Sequence, residues 1–231
     1  MSPAFPTAGV IDHPAYGRVK YRVSEISLDP DTQVAQTIDL MKRYALEDAP
    51  KSALQADVAR SIQTGDPLQD VWWWCKREGG RGMRFVRDED SARPFQPLET
   101  ITDQWRPIVE SIARPTLLAT TPNPQGDCDC FCTYGAAHLI ARGVACAFCT
   151  VAASEQTPTE YSHVYLVAYP KSGGRVPLDL SHGPYAGWET ENKFGKRMEW
   201  PVMPGTPAAS LLLLAAGGFI LYDILRGRRV N

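Results

Sequence analysis

Apolar residues in the first third of the chain recur at helical rather than strand spacing, with Val34, Ile38, Met41 and Ala45 on one face. Asp29 stands where an N-cap belongs and Pro50 where a helix must stop, so a helix is predicted over DTQVAQTIDLMKRYALEDA. A second helix is predicted over Lys51–Gln63, ended by Gly65. A third opens at Asp66-Pro67 and runs through DVWWWCKRE, with Asp as cap and Pro in the first turn. Three adjacent tryptophans cannot share one helical face, and they are expected in core and subdomain packing rather than in a ligand stack. Weaker signals frame these helices. Residues 1–16, rich in Pro and Ala, read as a flexible leader, and Gly17–Ser24 alternates apolar with polar as a strand does. Residues 79–97 read as a charged loop with a brief strand at Met83–Val86, and Leu98–Ala113 as a further helix.

The second half of the chain changes character. Pro122, Pro124 and Gly126 mark a turn, and Asp127 is a natural cap for the helix after it. Beyond it Cys132, Gly135, Ala136, Leu139 and Ile140 describe one buried helical face, and the small residues 135–137 would let this helix lie close to a sheet. Gly143 sits where a left-handed helix stop is expected. Strand patterns come next at Val144–Val151, His163–Tyr169 and Arg175–Leu180, the last two joined by the turn KSGG. Helices first, then a helix leading into an antiparallel sheet, is an α+β order.

Candidate chemistry gathers where that helix begins. Cys128 falls in its first turn, where unpaired backbone N–H groups and the helix dipole stabilise a thiolate and could support an oxyanion. His163 heads a strand expected to lie against the helix, and Asp179 lies near the end of the next strand. These are the nucleophile, base and orienting acid that acyl transfer needs. Cys130 is about 200° around the helix from Cys128, so both cannot face His163, and Cys128 is preferred. A regular four-residue turn over Lys171–Gly174 would pair 166 with 179 and set Asp179 on the face opposite His163. An irregularity at Gly173 or Gly174 that pairs 179 with 165 or 167 is therefore predicted.

These segments also resemble a known family. GDCDCF (126–131) is similar to the GDCDDF-type nucleophile motif of transglutaminase-like proteins, SHVYLVA (162–168) to their H-[AV]-[WY]-V strand, and VPLDLS (176–181) to their V-P-[LV]-D-P-[ST] strand. GPYAGWE, and VWWWCKREGGRGMRFVRDED upstream, resemble segments of bacterial and phage-borne members. The resemblance spans roughly residues 30–190. It implies a papain-like core, a Cys128–His163–Asp179 triad, and thiol chemistry on peptide or isopeptide amides as peptidase, amidase or transamidase. It implies no metal or organic cofactor. Cys130 and Leu180 stand where the family usually has an acid and a proline.

Composition narrows the setting. The 231 residues are 44% apolar and 22% charged with a net charge of −2, so nucleic acid is not an expected partner. Five of the six cysteines crowd between Cys128 and Cys149, and no basic segment followed by an apolar run marks a signal peptide; reduced thiols in a cytoplasmic catalytic domain are expected. A metal site from Cys128, Cys130, Cys132, Cys146 and Cys149 is disfavoured, because i, i+2 spacing splays ligands on a helix and Cys146 and Cys149 face opposite sides of a strand. Cys75, Cys132 and Cys146 read as core residues, His138 as a surface or boundary residue, His182 as a weaker substitute for His163, and His13 as uninformative. Gln125 and Trp105 are candidates for oxyanion support.

After a linker at 201–207, residues 208–225 carry one charge, Asp223, and would span about 27 Å as a helix, with a basic tail at 226–231. A catalytic domain over 17–200, tethered by this helix to a host or virion bilayer and acting on a protein or peptide substrate, is the expectation. The alternative is a catalytically inactive structural or assembly protein retaining the fold. Packing of the hydrophobic helix on the domain, in a homo-oligomer or in a virion is the other use of such a segment.

Overall fold

Cap chemistry starts the helices where the sequence places it. The Asp29 carboxylate accepts from the Thr32 N–H at 2.9 Å, and α1 (Pro30–Asp48) buries Ile38, Met41 and Ala45. Next come α2 (Ser52–Ser61) and α3 (Pro67–Cys75), the latter capped by Asp66 on the Leu68 N–H at 2.8 Å. These elements belong to a computed structural model in which residues 8–13, 16–22, 27, 29–76, 80–87 and 112–203 are described. Trp72 and Trp74 are half-buried on α3 while Trp73 is exposed, so the three rings do part company. A short helix, α4 (Pro115–Thr120), is an element the spacing of apolar residues does not signal; six residues are too few to show a period. Its Thr116 donates its N–H and hydroxyl to the buried Asp48 carboxylate, at 3.0 and 2.7 Å.

The helix α5 (Cys128–Ala141) is the centre of the molecule. It was expected to bury one face, yet every residue from 129 to 139 is buried. The reason is its place: the other four helices pack on one side and strands β5 (Ala145–Val151) and β6 (His163–Tyr169) on the other. Gly135 allows the close approach to the sheet, since a β-carbon there would lie 2.1 Å from Leu180 Cδ1 and 2.8 Å from Leu166 Cδ1. His138, expected near the surface, is instead fully buried, because its Nε2 reaches the Asp57 carboxylate of α2 at 3.1 Å. Asp57 also accepts from the Tyr134 hydroxyl, from Trp74 Nε1 at 3.1 Å and from Arg60 at 2.8 Å, joining α2, α3 and α5. Four donors outweigh the effect of burial and hold this carboxyl down to about 2.

The sheet is antiparallel throughout, ordered β7 (Val176–Leu178), β6, β5, β8 (Arg197–Pro201). Helices and antiparallel sheet together make an α+β fold. One face of the sheet, with Cys146, Phe148, Leu166 and Leu178, packs in the main core; Cys149, Val151, Tyr165 and Val167 form a smaller cluster on the other. Strand β8 goes unsignalled because RMEWP is a charged, proline-ended edge strand. It also takes in the start of the expected linker, for Pro201 pairs with Ala147, and the buried Val202 donates its N–H to the Cys146 carbonyl at 3.1 Å.

At the other end, residues 8–13 form strand β1 (Ala8–His13), paired with β2 (Gly17–Arg22), rather than part of a loose leader. His13 is buried and stacks on Tyr16 at 4.5 Å, so it carries more of the packing than the sequence suggested. The expected brief strand appears as β3 (Arg84–Phe85), parallel to β4 (Gln125–Gly126). Of the helix expected over 98–113 only residues 112 and 113 are described, and they are not helical. Trp105, the hydrophobic segment 208–225 and the basic tail lie outside the described residues. Among the described residues no helix is long and apolar enough to cross a membrane.

Candidate active site

Cys128 is the first residue of α5 and is half-buried. Asp127 caps the helix through the Cys130 N–H at 3.4 Å, and Gly126 before it allows a close crossing, since a β-carbon there would sit 2.4 Å from Cys130 Cβ. The later cysteines of this helix are turned into the core. Cys130 Sγ accepts the Ala113 N–H at 3.3 Å and is 2% exposed, which takes it out of contention as the nucleophile. One turn beyond Cys128, Cys132 donates its thiol to the Val164 carbonyl at 3.3 Å. That bond lays the start of α5 against the start of β6, because Val164 is the residue after His163. Burial, and after it the fields of Cys128 and Asp179, push the Cys132 thiol far up, so all three groups share one neighbourhood.

His163 and Asp179 meet directly. The His163 Nε2 to Asp179 Oδ2 distance is 2.8 Å, with the imidazole 9% and the carboxylate 0% exposed. The β6–β7 turn carries the irregularity this requires. Leu166 pairs with Leu178 and Ala168 with Val176, so the next step in the register sets Asp179 opposite Tyr165, on the face His163 shares. Gly173 and Gly174 have φ of +91° and +90°, conformations open to glycine, and the Gly173 N–H closes on the Pro170 carbonyl at 2.9 Å.

Asp179 is held from both of its oxygens. Oδ2 also accepts from Thr190 Oγ1 at 2.6 Å; Oδ1 accepts from the Ser181 N–H at 3.1 Å, the Ser181 hydroxyl at 2.9 Å and the His182 N–H at 2.9 Å. Burial alone would raise this carboxyl; the hydrogen bonds and the His163 charge outweigh it and hold the group well below the usual carboxylate range. Since the carboxylate can only accept, the Ser181 hydroxyl donates to it and must accept from His182 Nδ1, 2.9 Å away. His182 therefore carries its proton on Nδ1 when neutral. Its ring stands edge-on to His163, with centroids 5.0 Å apart at 88°, and 4.9 Å from Phe85. Burial, then the neighbouring His163, lower its proton affinity.

Thr190 and Ser181 are site residues the sequence reading missed. The run DLSH is a readable Asx-turn signal for Ser181 and His182, whereas nothing local marks Thr190. Gln125 shows no pointing toward an oxyanion: its side-chain oxygen accepts from Arg84 and its carbonyl from Tyr16. His163, Asp179 and His182 offer ligand atoms within 4.8 Å of one another, close enough for a metal ion, but Asp179 would have to give up hydrogen bonds to bind one. A depression of about 440 Å³ at the opposite end of β6, lined by Asp66, Pro67, Pro170 and Val176, includes none of these groups. No protein-family model, curated protein or solved structure matches the chain.

Proposed function

We propose that this protein is a thiol acyl-transfer enzyme of transglutaminase-like type, with a papain-like core, acting on peptide or isopeptide amides. The observation that carries the reading is the His163–Asp179 pair, aligned by the β6–β7 register beside the strand start on which α5 rests its cysteine-bearing first turns. Asp179 accepts a hydrogen bond from the Nε2–H of His163 and leaves Nδ1 as the ring nitrogen that takes the proton of the thiol. Cys128 Sγ attacks the amide carbonyl carbon, and backbone N–H groups at the start of α5 take up the charge on oxygen. His163 returns the proton to the departing amine as the C–N bond breaks, and water or a second amine then resolves the thioester. The uncharged stretch 208–222 supports a tether that holds this domain at a bilayer.

Thiol reactivity tests the reading without a known substrate. With iodoacetamide near pH 6.5, Cys128 should alkylate well ahead of the five buried cysteines. Cys130→Ala should keep the fast phase and Cys128→Ala should remove it. A Cys128 that reacts no faster than an ordinary exposed thiol would sink the proposal.

A further inference from the structure

Among the described residues, two cations at the edge of the candidate site have no carboxylate partner. Lys76 closes α3 with its ammonium over the Trp72 ring, 5.5 Å from the centroid. Trp72 donates its indole N–H to the Gly183 carbonyl at 3.1 Å, and Gly183 comes directly after His182, whose ring meets His163. A chain of contacts through Trp72, the Gly183 backbone and His182 thus links Lys76 to the imidazole. Arg87 follows the short strand β3. The Val86 N–H bonds the Gly126 carbonyl at 2.9 Å, so Arg87 leaves its strand alongside the Asp127–Cys128 start of α5, and its charge reaches His182.

The other cations packed into the fold are accounted for. Arg114 pairs with Asp48, Arg142 with Asp70 and Arg175 with Glu189 and Glu199, while Arg81 donates to the carbonyls of Leu118 and Thr121. Among the described residues no acidic side chain lies within ion-pair distance of Lys76 or Arg87. A half-buried ammonium such as that of Lys76 costs stability unless something anionic compensates it. Burial already lowers the proton affinity of Lys76, with only the fields of Asp179 and Cys75 opposing.

We propose that Lys76 and Arg87 form an anion-binding subsite, and that the acyl donor carries a carboxylate next to the amide that Cys128 attacks. This rests on the thiol reading above. The carboxylate of an acidic side chain or of a chain terminus is the anion that a peptide brings. Lys76 receives it over the Trp72 face, and Arg87 closes on it from the nucleophile side. Among the described residues, the other titratable groups around the subsite are Cys75, Cys128, His163, His182 and the Asp179 carboxylate, whose charge is directed at His163.

A pair of reagents with one warhead tests this. The ratio of Cys128 alkylation rates, anionic iodoacetate over neutral iodoacetamide, should fall about fivefold in Lys76→Met, the attraction of one unit charge at contact range in water. It should fall in Arg87→Gln too, survive in Lys76→Arg, and shrink in 0.5 M salt. A ratio that neither substitution alters overturns the subsite. If Cys128 is unreactive to both reagents, the acyl-transfer reading fails, and a second measurement decides on the subsite alone. Glutarate should then shift the Trp72 indole ¹H–¹⁵N resonance saturably in the wild-type chain and not in Lys76→Met; a wild-type resonance that does not move refutes the anion site.

Discussion

Asp179→Asn preserves shape and removes a charge, and the hydrogen bonds around Asp179 dictate how the new amide must turn. It can place its oxygen on one side only. On the Oδ1 side stand two backbone N–H groups, of Ser181 and His182, which cannot become acceptors. On the Oδ2 side stand His163 Nε2 and the Thr190 hydroxyl, which can. The amide NH₂ therefore turns toward His163, forcing a lone pair onto Nε2 and the ring proton onto Nδ1. That tautomer cannot take a proton from Cys128, and an imidazolium would set N–H against N–H. The proposed mechanism pairs a Cys128 thiolate with a His163 imidazolium; a thiol without that partner, at the reference pKa of about 8.5, is ionised in about one molecule in 300 at pH 6. A less acidic thiolate is more nucleophilic, with a Brønsted slope of about 0.4–0.5, which recovers part of the loss. Iodoacetamide alkylation of Cys128 at pH 6 should still fall about tenfold or more, and amide turnover by about 10²–10⁴-fold. Two backbone bonds lose charge assistance, at about 1 kcal/mol each, so the variant should be about 2 kcal/mol less stable. The sign with pH is fixed: a depressed carboxyl stabilises above its unfolded value of about 4 and ceases to as acid protonates the folded state, so the stability gap closes below about pH 4. An Asp179→Asn protein that alkylates at the wild-type rate at pH 6 would refute the tautomer argument.

Asp57→Asn sets an amide against the Tyr134, Trp74 and His138 donors and should cost about 3 kcal/mol, read as a fall of about 6–12 °C in Tm. Because the Asp57 carboxyl is held at about 2, that difference should persist from neutral pH to about 4 and shrink below it; an unchanged Tm at pH 7 would contradict the buried network. The full chain should float with phosphatidylcholine vesicles while a chain ending at Met203 stays in the soluble fraction; equal partitioning of the two would remove the proposed tether.

Elements with local chemistry were readable in advance. Asp29, Asp66 and Asp127 announce their helices because a cap is a short-range hydrogen bond, and Gly135 announces close packing because a missing side chain is visible in any sequence. The His163–Asp179 pairing was readable only as a condition on the turn between their strands. What could not be read depends on long-range partners. His138 looks like a surface residue until Asp57, 81 residues away, is brought to it. Thr190 has no signal, since its role is set by how the segment after Asp179 folds back. Strand β8 is charged and proline-ended, and only its pairing with β5 makes it a strand.

The turn between β6 and β7 sets a rule of parity. Side chains alternate along a strand, so whether Asp179 or a leucine stands beside His163 depends on whether the residue count of that turn is odd or even. Adding or removing one residue between Pro170 and Arg175 offers the chain two poor choices. If the strand slips, Leu178 and Leu180 leave the core and the Asp179 carboxylate is driven into it; if it holds, the turn must absorb the strain. A change of two residues carries neither cost. Length variation tolerated in this segment should therefore come in even steps, and a lone insertion could silence the site with every catalytic group intact.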